Sequence, residues 1–135
     1  MDDCIFCKII RGEIPSTKIY EDGDAFAFLD IAPVNVGHTL VVPKQHFKNV
    51  YETPDEVLQK VMTAAKKIAE ALKALPSDGV NVTINNDSAA GQVVFHFHVH
   101  VIPRIAGDGF PLWHSRRPYN EGEAKGTAEK IMRGL

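Results

Sequence analysis

Three histidines alternate with apolar residues in Phe95-His96-Phe97-His98-Val99-His100-Val101-Ile102, and they are half of the six in the chain. Strict alternation predicts a β-strand over these residues. Phe95, Phe97, Val99 and Val101 would face a core, and His96, His98 and His100 the opposite side, about 6.5–7 Å apart along the strand. Burial accounts for the apolar row. It does not account for a row of imidazoles, each bringing nitrogens that need partners. Two chemistries use such a row. The histidines could ligate a metal with an open position that activates water. Alternatively one imidazole is a nucleophile towards phosphorus, with its other nitrogen held by an acceptor. Donors for the charged phosphoryl oxygens would then be needed nearby. Ala90-Gly91-Gln92 just upstream favours the second chemistry, since a flexible backbone and an amide suit the close approach of a phosphate.

Cys4 and Cys7 are the only cysteines and form a C-x-x-C pair. A structural disulfide does not suit a reducing compartment. A thioredoxin-like redox pair would have to open a helix just after a sheet strand. Metal binding needs two further ligands. His46, just past Val42-Pro43-Lys44-Gln45, has no obvious core role.

The elements that must position these groups can be read in order. Ile5, Phe6, Ile9 and Ile10 fall at helical spacing, giving a short amphipathic helix that ends near Gly12. Lys18–Tyr20 and Ala25–Leu29 read as a hairpin around Glu21-Asp22-Gly23-Asp24, with Gly23 free to take a positive φ. Residues 30–37 read as a loop and His38–Val42 as a strand stopped by Pro43. Thr53-Pro54-Asp55-Glu56 predicts a helix start with Thr53 as N-cap and Glu56 completing a capping box. Leu58, Val61, Ala65, Ile68, Leu72 and Leu75 form its apolar stripe, facing a sheet. Val80–Asn85 is a further strand, with Val82 and Ile84 on one face. Gly126–Leu135 suggests a short terminal helix. The fold class is α+β: about five antiparallel strands, one long helix and a short N-terminal helix.

A chain of 135 residues is one domain by size, 1–135. Its 44% hydrophobic and 24% charged residues are ordinary globular values. A net charge of −2 argues against nucleic-acid polymers as partners and leaves a small phosphorylated ligand open. The start, Met-Asp-Asp-Cys, lacks the pattern of a signal peptide, and no apolar run is long enough to span a membrane. The expected location is the cytoplasm.

Residues 91–104, Gly91-Gln92-Val93-Val94-Phe95-His96-Phe97-His98-Val99-His100-Val101-Ile102-Pro103-Arg104, resemble the signature of the histidine triad (HIT) superfamily of nucleotidyl hydrolases and transferases. Cys4-Ile5-Phe6-Cys7-Lys8-Ile9-Ile10, Ile14-Pro15, Phe28-Leu29-Asp30-Ile31 and residues 37–44 resemble it in the same order. The likeness covers Cys4 to about Arg104, a core of 4–104, and leaves the tail 105–135 undiagnosed. It implies a HIT-like fold and hydrolysis at the α-phosphate of a nucleotide, such as a dinucleoside polyphosphate or nucleoside phosphoramidate. By that resemblance His98 would be the nucleophile forming a nucleotidyl-histidine. His100 and the Gln92 segment would bond the phosphoryl oxygens, with His38 beneath His98. Asp30 would take the ribose hydroxyls. Phe6, Ile9, Phe28, Ile31 and Leu40 would hold the base, with Asn85 and Gly91 near the phosphates. In the zinc-bearing members a C-x-x-C pair joins two histidines, here Cys4, Cys7, His46 and His96: one structural zinc per chain in a closed tetrahedron. The usual assembly is a homodimer whose sheets join. Val93 departs from the pattern, since two branches carry a hydroxyl residue there that assists the leaving group.

The competing explanations are plain. Asp30 could be a solvated strand-end carboxylate, and His38 a core-edge histidine with one backbone bond. Trp113 and His114 could lid the site, but surface packing is the expectation. The functional alternatives are transfer of the nucleotide to phosphate or another acceptor, a regulatory nucleotide-binding module, and a zinc hydrolase using the triad as ligands.

Overall fold

A computed structural model describes residues 3–113 and 116–135. Helix α1 (Ile5–Ile10) leads into strands β1 (Lys18–Glu21), β2 (Ala25–Leu29) and β3 (Thr39–Pro43). Helix α2 (Asp55–Ala71) follows and tightens into a 3-10 turn over Leu72–Ala74. Then come β4 (Gly79–Thr83), a 3-10 turn at Ser88–Ala90, β5 (Val99–Arg104) and helix α3 (Glu123–Arg133). The five strands form one antiparallel sheet, as the sequence predicts, and their order is β1-β2-β3-β5-β4. Among the described residues no helix is long and apolar enough to cross a membrane.

Both sheet faces are covered at the centre, which is why β2 and β3 read as unbroken apolar runs rather than alternating ones. Ala25, Ala27, Val41, Val99 and Val101 pack under Val61, Ala64, Ala65, Ile68 and Leu72 of α2 and its 3-10 turn. Small residues on β2 let the helix lie close. On the other face Phe26, Phe28, Leu40 and Val42 pack against Phe6 and Ile9 of α1. The short N-terminal helix, too short to be stable alone, is therefore held by its apolar side. Gly37, at φ +102°, sits where the 30–38 loop meets the core. A Cβ there would stand 2.7 Å from Leu75 Cδ1 and 3.2 Å from Leu72 Cδ2, so those two leucine side chains would have to shift, and the backbone would be strained besides.

Four local expectations are corrected. The histidine strand is shorter than its alternation suggests: β5 begins at Val99, and the lead-in bends over 94–96 before 97–98 joins it. Phe95 is accordingly no core residue, being 39% exposed with Lys48 Nζ 5.5 Å from its ring centroid. Thr53 does not cap α2. Its hydroxyl donates to the Asn49 carbonyl at 2.8 Å, and Pro54 takes the cap position with no side-chain bond. The β1–β2 turn uses Asp22, whose Oδ1 accepts from the Asp24 and Ala25 amides, and Gly23 has no positive φ. Finally, α3 starts at Glu123 and has no buried residue.

Candidate active site and metal cluster

One side of α1, the end of β2 with the residues just after it, β3, the lead-in to β5 and the 85–94 loop surround a cavity of about 330 Å³. Phe6, Ile9, Phe28, Asp30, Ile31, Leu40, Asn85, Gly91, His98 and His100 line it, joined by Ile5, Val93 and Val94. Every residue expected at the site touches this cavity except Gln92 and His38. The Gln92 side chain is buried and occupied: Oε1 accepts from the Asp87 amide at 2.8 Å, and Nε2 donates to the Lys48 and Val94 carbonyls. It braces the rim loop. That loop is strained, since Asp87 holds φ 68° and ψ 160°, a region costly for a residue with a Cβ. Ile5 and Val94 carry no sequence signal for the cavity they line. Helical spacing marks Ile5 as apolar without saying that it faces a cavity.

The hydrogen bonds settle the tautomer of each imidazole, because a carbonyl only accepts and a backbone N–H only donates. His98 Nδ1 lies 2.7 Å from its neighbour's oxygen, the His96 carbonyl, so Nδ1 carries the proton and Nε2 a lone pair. The Val34 amide donates to His38 Nδ1 at 3.1 Å, so His38 carries its proton on Nε2. That proton points to His100 Nδ1 at 2.9 Å, leaving His100 with an Nε2–H donor. Among the described residues no buried side-chain nitrogen lacks a partner. The Nε2 atoms of His98 and His100 have none and therefore open on the cavity. A nucleophilic lone pair and a hydrogen-bond donor stand side by side, with ring centroids 4.9 Å apart.

Burial keeps these rings neutral. It holds His98 and His38 below the ordinary imidazole value of 6.5, with Asp30 opposing at each. Burial, then His98 and His38, push His100 down to about 4. Phe6 adds an edge-to-face contact on His98, 5.1 Å between centroids at 89°. Asp30 turns its Oδ1 to the Ala32 amide at 2.9 Å, and its Oδ2 lies 3.7 Å from His38 Nε2. Trp113 is 76% exposed and lines a separate depression with Val34, Asn81 and Phe110. It does not touch the histidine cavity; His114 lies outside the described residues.

The second cluster lies behind the first. Cys4, Cys7, His46 and His96 bring four ligand atoms within 4.8 Å of one another. Cys4 Sγ and Cys7 Sγ are each 3.5 Å from His96 Nδ1, Cys7 Sγ is 3.4 Å from His46 Nδ1, and the two Nδ1 atoms are 3.1 Å apart. Zinc bonds of about 2.3 Å to sulfur and 2.0–2.1 Å to nitrogen give a tetrahedron with S···N edges of about 3.6 Å and N···N edges of about 3.3 Å. The cluster already has those dimensions. His96 Nε2 lies 2.8 Å from the Pro43 carbonyl. The proton sits there, and the Nδ1 lone pair faces the sulfurs, as second-sphere bonding to a ligating histidine requires. Burial pushes the Cys7 thiol up to about 11, helped by Cys4, and His96 down to about 4. Two thiols and two neutral imidazoles packed together have no other mutual partner as good as a cation.

An antiparallel sheet that carries a row of alternating histidines at the edge of one cavity is the arrangement of a histidine triad domain. The chain belongs to the HIT domain family, whose model matches residues 11–107. A Bacillus subtilis relative, Protein hit, is 53% identical over 111 residues, 81% of this chain and 77% of its own length. Adenylylsulfatase HINT3 of Arabidopsis thaliana is 46% identical over 84% of this chain and 57% of its own. The crystal structure of a HIT family member from Bacillus subtilis superposes with a TM-score of 0.91 at 44% identity, covering 98% and 97% of the two chains. A Zn-bound histidine triad family protein from Mycobacterium smegmatis gives 0.77 at 37% identity, covering 99% of each.

Proposed function

We propose that the protein is a nucleotide hydrolase or transferase acting at an α-phosphorus through a covalent nucleotidyl-histidine on His98. The observation that carries this is the His98 Nδ1–His96 carbonyl bond of 2.7 Å, which leaves the Nε2 lone pair open to the cavity. Nε2 attacks phosphorus, an N–P bond forms and the bond to the leaving group breaks with its electron pair. Water then attacks the same phosphorus, the N–P bond breaks, and a nucleoside monophosphate departs. The His100 Nε2–H stabilises the phosphoryl oxygens as they gain charge. Phe6, Ile9, Phe28, Ile31 and Leu40 make the base slot. Asn85 and the Gly91-Gln92 backbone flank the phosphates. An adenylylsulfatase among the relatives supports a nucleotidyl centre with an anionic leaving group. Val93, at the rim and 84% exposed, cannot donate a proton, which favours anhydrides over amine-leaving phosphoramidates. Cys4, Cys7, His46 and His96 would hold one zinc in a closed, structural site, leaving His98 free. The zinc-bound Mycobacterium relative supports that choice. A homodimer joined through β4 fits that strand's edge position and its exposed Val80 and Val82.

The test is a panel of dinucleoside polyphosphates, adenylyl sulfate, nucleoside phosphoramidates and nucleotide sugars, with rapid quenching to trap the labelled nucleotide on the protein. Turnover with an acid-labile adduct on His98 is expected. Tight binding without adduct or turnover would leave only a nucleotide-binding module, and phosphate as a required acceptor would make the protein a transferase.

Ribose recognition falls to Asp30, whose carboxylate can accept from two hydroxyls. Asp30→Ala is expected to weaken ribonucleotide binding about ten-fold or more, since bonds to a charged acceptor are worth about 1.5–3 kcal/mol. Titration calorimetry with a dideoxy analogue is the control. An equal loss for the analogue, which has no hydroxyls to give, would assign the effect to the disturbed Ala32 turn instead.

A further inference from the structure

The loop between β2 and β3 is closed at its base by backbone bonds from the Asp30 amide to the His38 carbonyl and from the His38 amide to the Asn35 carbonyl. Its far side is tied to the sheet by one side chain. Asn35 Nδ2 donates to the Pro103 carbonyl and to Asp108 Oδ2, both at 2.9 Å. Asp108 is in turn gripped by Arg104, whose Nε and Nη2 reach the two carboxylate oxygens at 2.7 Å each, and the Ile105 and Phe110 amides complete its shell. Arg104 Nη1 then bonds Asn81 Oδ1 on the edge strand. A bidentate arginine–carboxylate pair is among the stiffest polar contacts a protein makes, and here it is largely shielded, with side chains 16% and 8% exposed. Asn35, Asn81, Arg104 and Asp108 do not line the histidine cavity.

We propose that Asn35, anchored by Asp108 and Arg104, is a positioning residue that fixes the tautomer of His38 and thereby makes His100 a donor to the reacting phosphoryl group. The inference rests on the proposed reading of the site. The link is the Val34 amide, one residue from Asn35, whose N–H is what holds His38 Nδ1 as an acceptor. Pro33, the residue before, has no N–H to offer in its place. With Val34 in position, His38 donates its Nε2–H to His100 Nδ1, and His100 presents its own Nε2–H to the cavity. Were His38 to carry its proton on Nδ1, the pair could bond only with His100 reversed. His100 would then present a lone pair to a phosphoryl oxygen, which repels it. One backbone N–H, held by a clamp on the far side of the loop, thus decides between donor and repeller. The sidedness matters because burial keeps both rings neutral, so no second proton can supply both roles.

Nitrogen-15 spectra of histidine-labelled protein read each ring's tautomer without substrate. In the wild type, His38 and His100 should both carry the proton on Nε2. In Asn35→Ala, His38 should become a mixture, with kcat falling about ten- to a hundred-fold, the range of one hydrogen bond to a charged group. Affinity for the nucleoside, which has no phosphoryl oxygen to meet His100, should change less than about three-fold, because the base slot is untouched. Asn35→Ser, a milder cut, should show the same direction and serves if the alanine variant does not fold. Pure Nε2–H His38 with wild-type kcat in the folded variants would overturn the proposal, as would a wild-type His100 protonated on Nδ1. Tautomers as assigned, scrambled by the variants, in a protein that turns over no nucleotide would uphold the clamp and sink the reaction.

Discussion

Replacing His98 by alanine abolishes turnover, with at least a thousand-fold loss of kcat expected and nucleotide binding largely kept. The size of the effect follows from the lone-pair inventory. His100 Nδ1 faces His38, His38 Nδ1 faces the Val34 amide, and His96 Nδ1 faces the two cysteines. Among the described residues, the triad therefore has one free lone pair aimed at the cavity, on His98 Nε2, and no neighbour can substitute for it. Binding should survive because the Phe6, Phe28 and Leu40 walls belong to a core cluster that does not depend on His98. Single-turnover kinetics with a labelled dinucleotide separates the two quantities. Near-normal turnover in His98→Ala would assign the chemistry elsewhere, and loss of binding in step with turnover would mark His98 as a mere wall of the pocket.

The second large effect concerns the metal. Elemental analysis should find about one zinc per chain. Removing it by chelation, or by Cys4→Ser with Cys7→Ser, should lower Tm by roughly 10 °C or more. Structural zinc adds its binding free energy to folding, and each kcal/mol is worth about 2–8 °C for domains of this size. In protein that stays folded, intrinsic chemistry should fall less than stability, since no ligand of the tetrahedron is the nucleophile. A catalytic metal predicts the reverse: a stable apo-protein that is inactive until metal returns. Some activity should nevertheless be lost. The His96 peptide carries a ligand on its side chain and the His98 acceptor on its carbonyl, and α1, pinned by the cysteines, supplies Phe6 and Ile9 to the slot. Spectroscopy of a cobalt-substituted sample would show two sulfur and two nitrogen ligands. A metal bound by His98 and His100 would overturn both assignments at once.

Much of this was legible from residue types because each element has its own period. The helical stripe of α2 and the apolar runs of β2 and β3 appear where pattern and burial agree. The alternation at 95–102 misled in its first half. Phe95 and Phe97 share a parity but not a fate, because the chain bends before Val99 and only Phe97 enters the core. Thr53 shows the limit of a cap motif: four residues upstream, the Asn49 carbonyl offered its hydroxyl a better-placed acceptor. The cavity wall was foreseen through likeness to a family rather than through spacing. No periodicity could bring Asp30, Asn85 and His98 to one hollow. Nor could spacing reveal the Asn35–Asp108–Arg104 clamp, whose partners are 68 and 73 residues apart in the chain for the two Asn35 bonds.

The strand order β1-β2-β3-β5-β4 has a kinetic consequence. The first three strands are neighbours in sequence and can zip as a meander, but β5 reaches β3 only after the whole of α2 and β4 has been made. Closing that long loop costs entropy before any of its contacts repay it. His38 waits on the early half of the sheet, and His98 and His100 arrive with the late half. The protein should thus acquire its hydrophobic scaffold before it acquires a site, and pulse-labelled hydrogen exchange should find β2 protected ahead of β5. A chain halted before His96 would be a partly built sheet that carries His38 without His98 or His100, and three of the four residues of the Cys2His2 cluster.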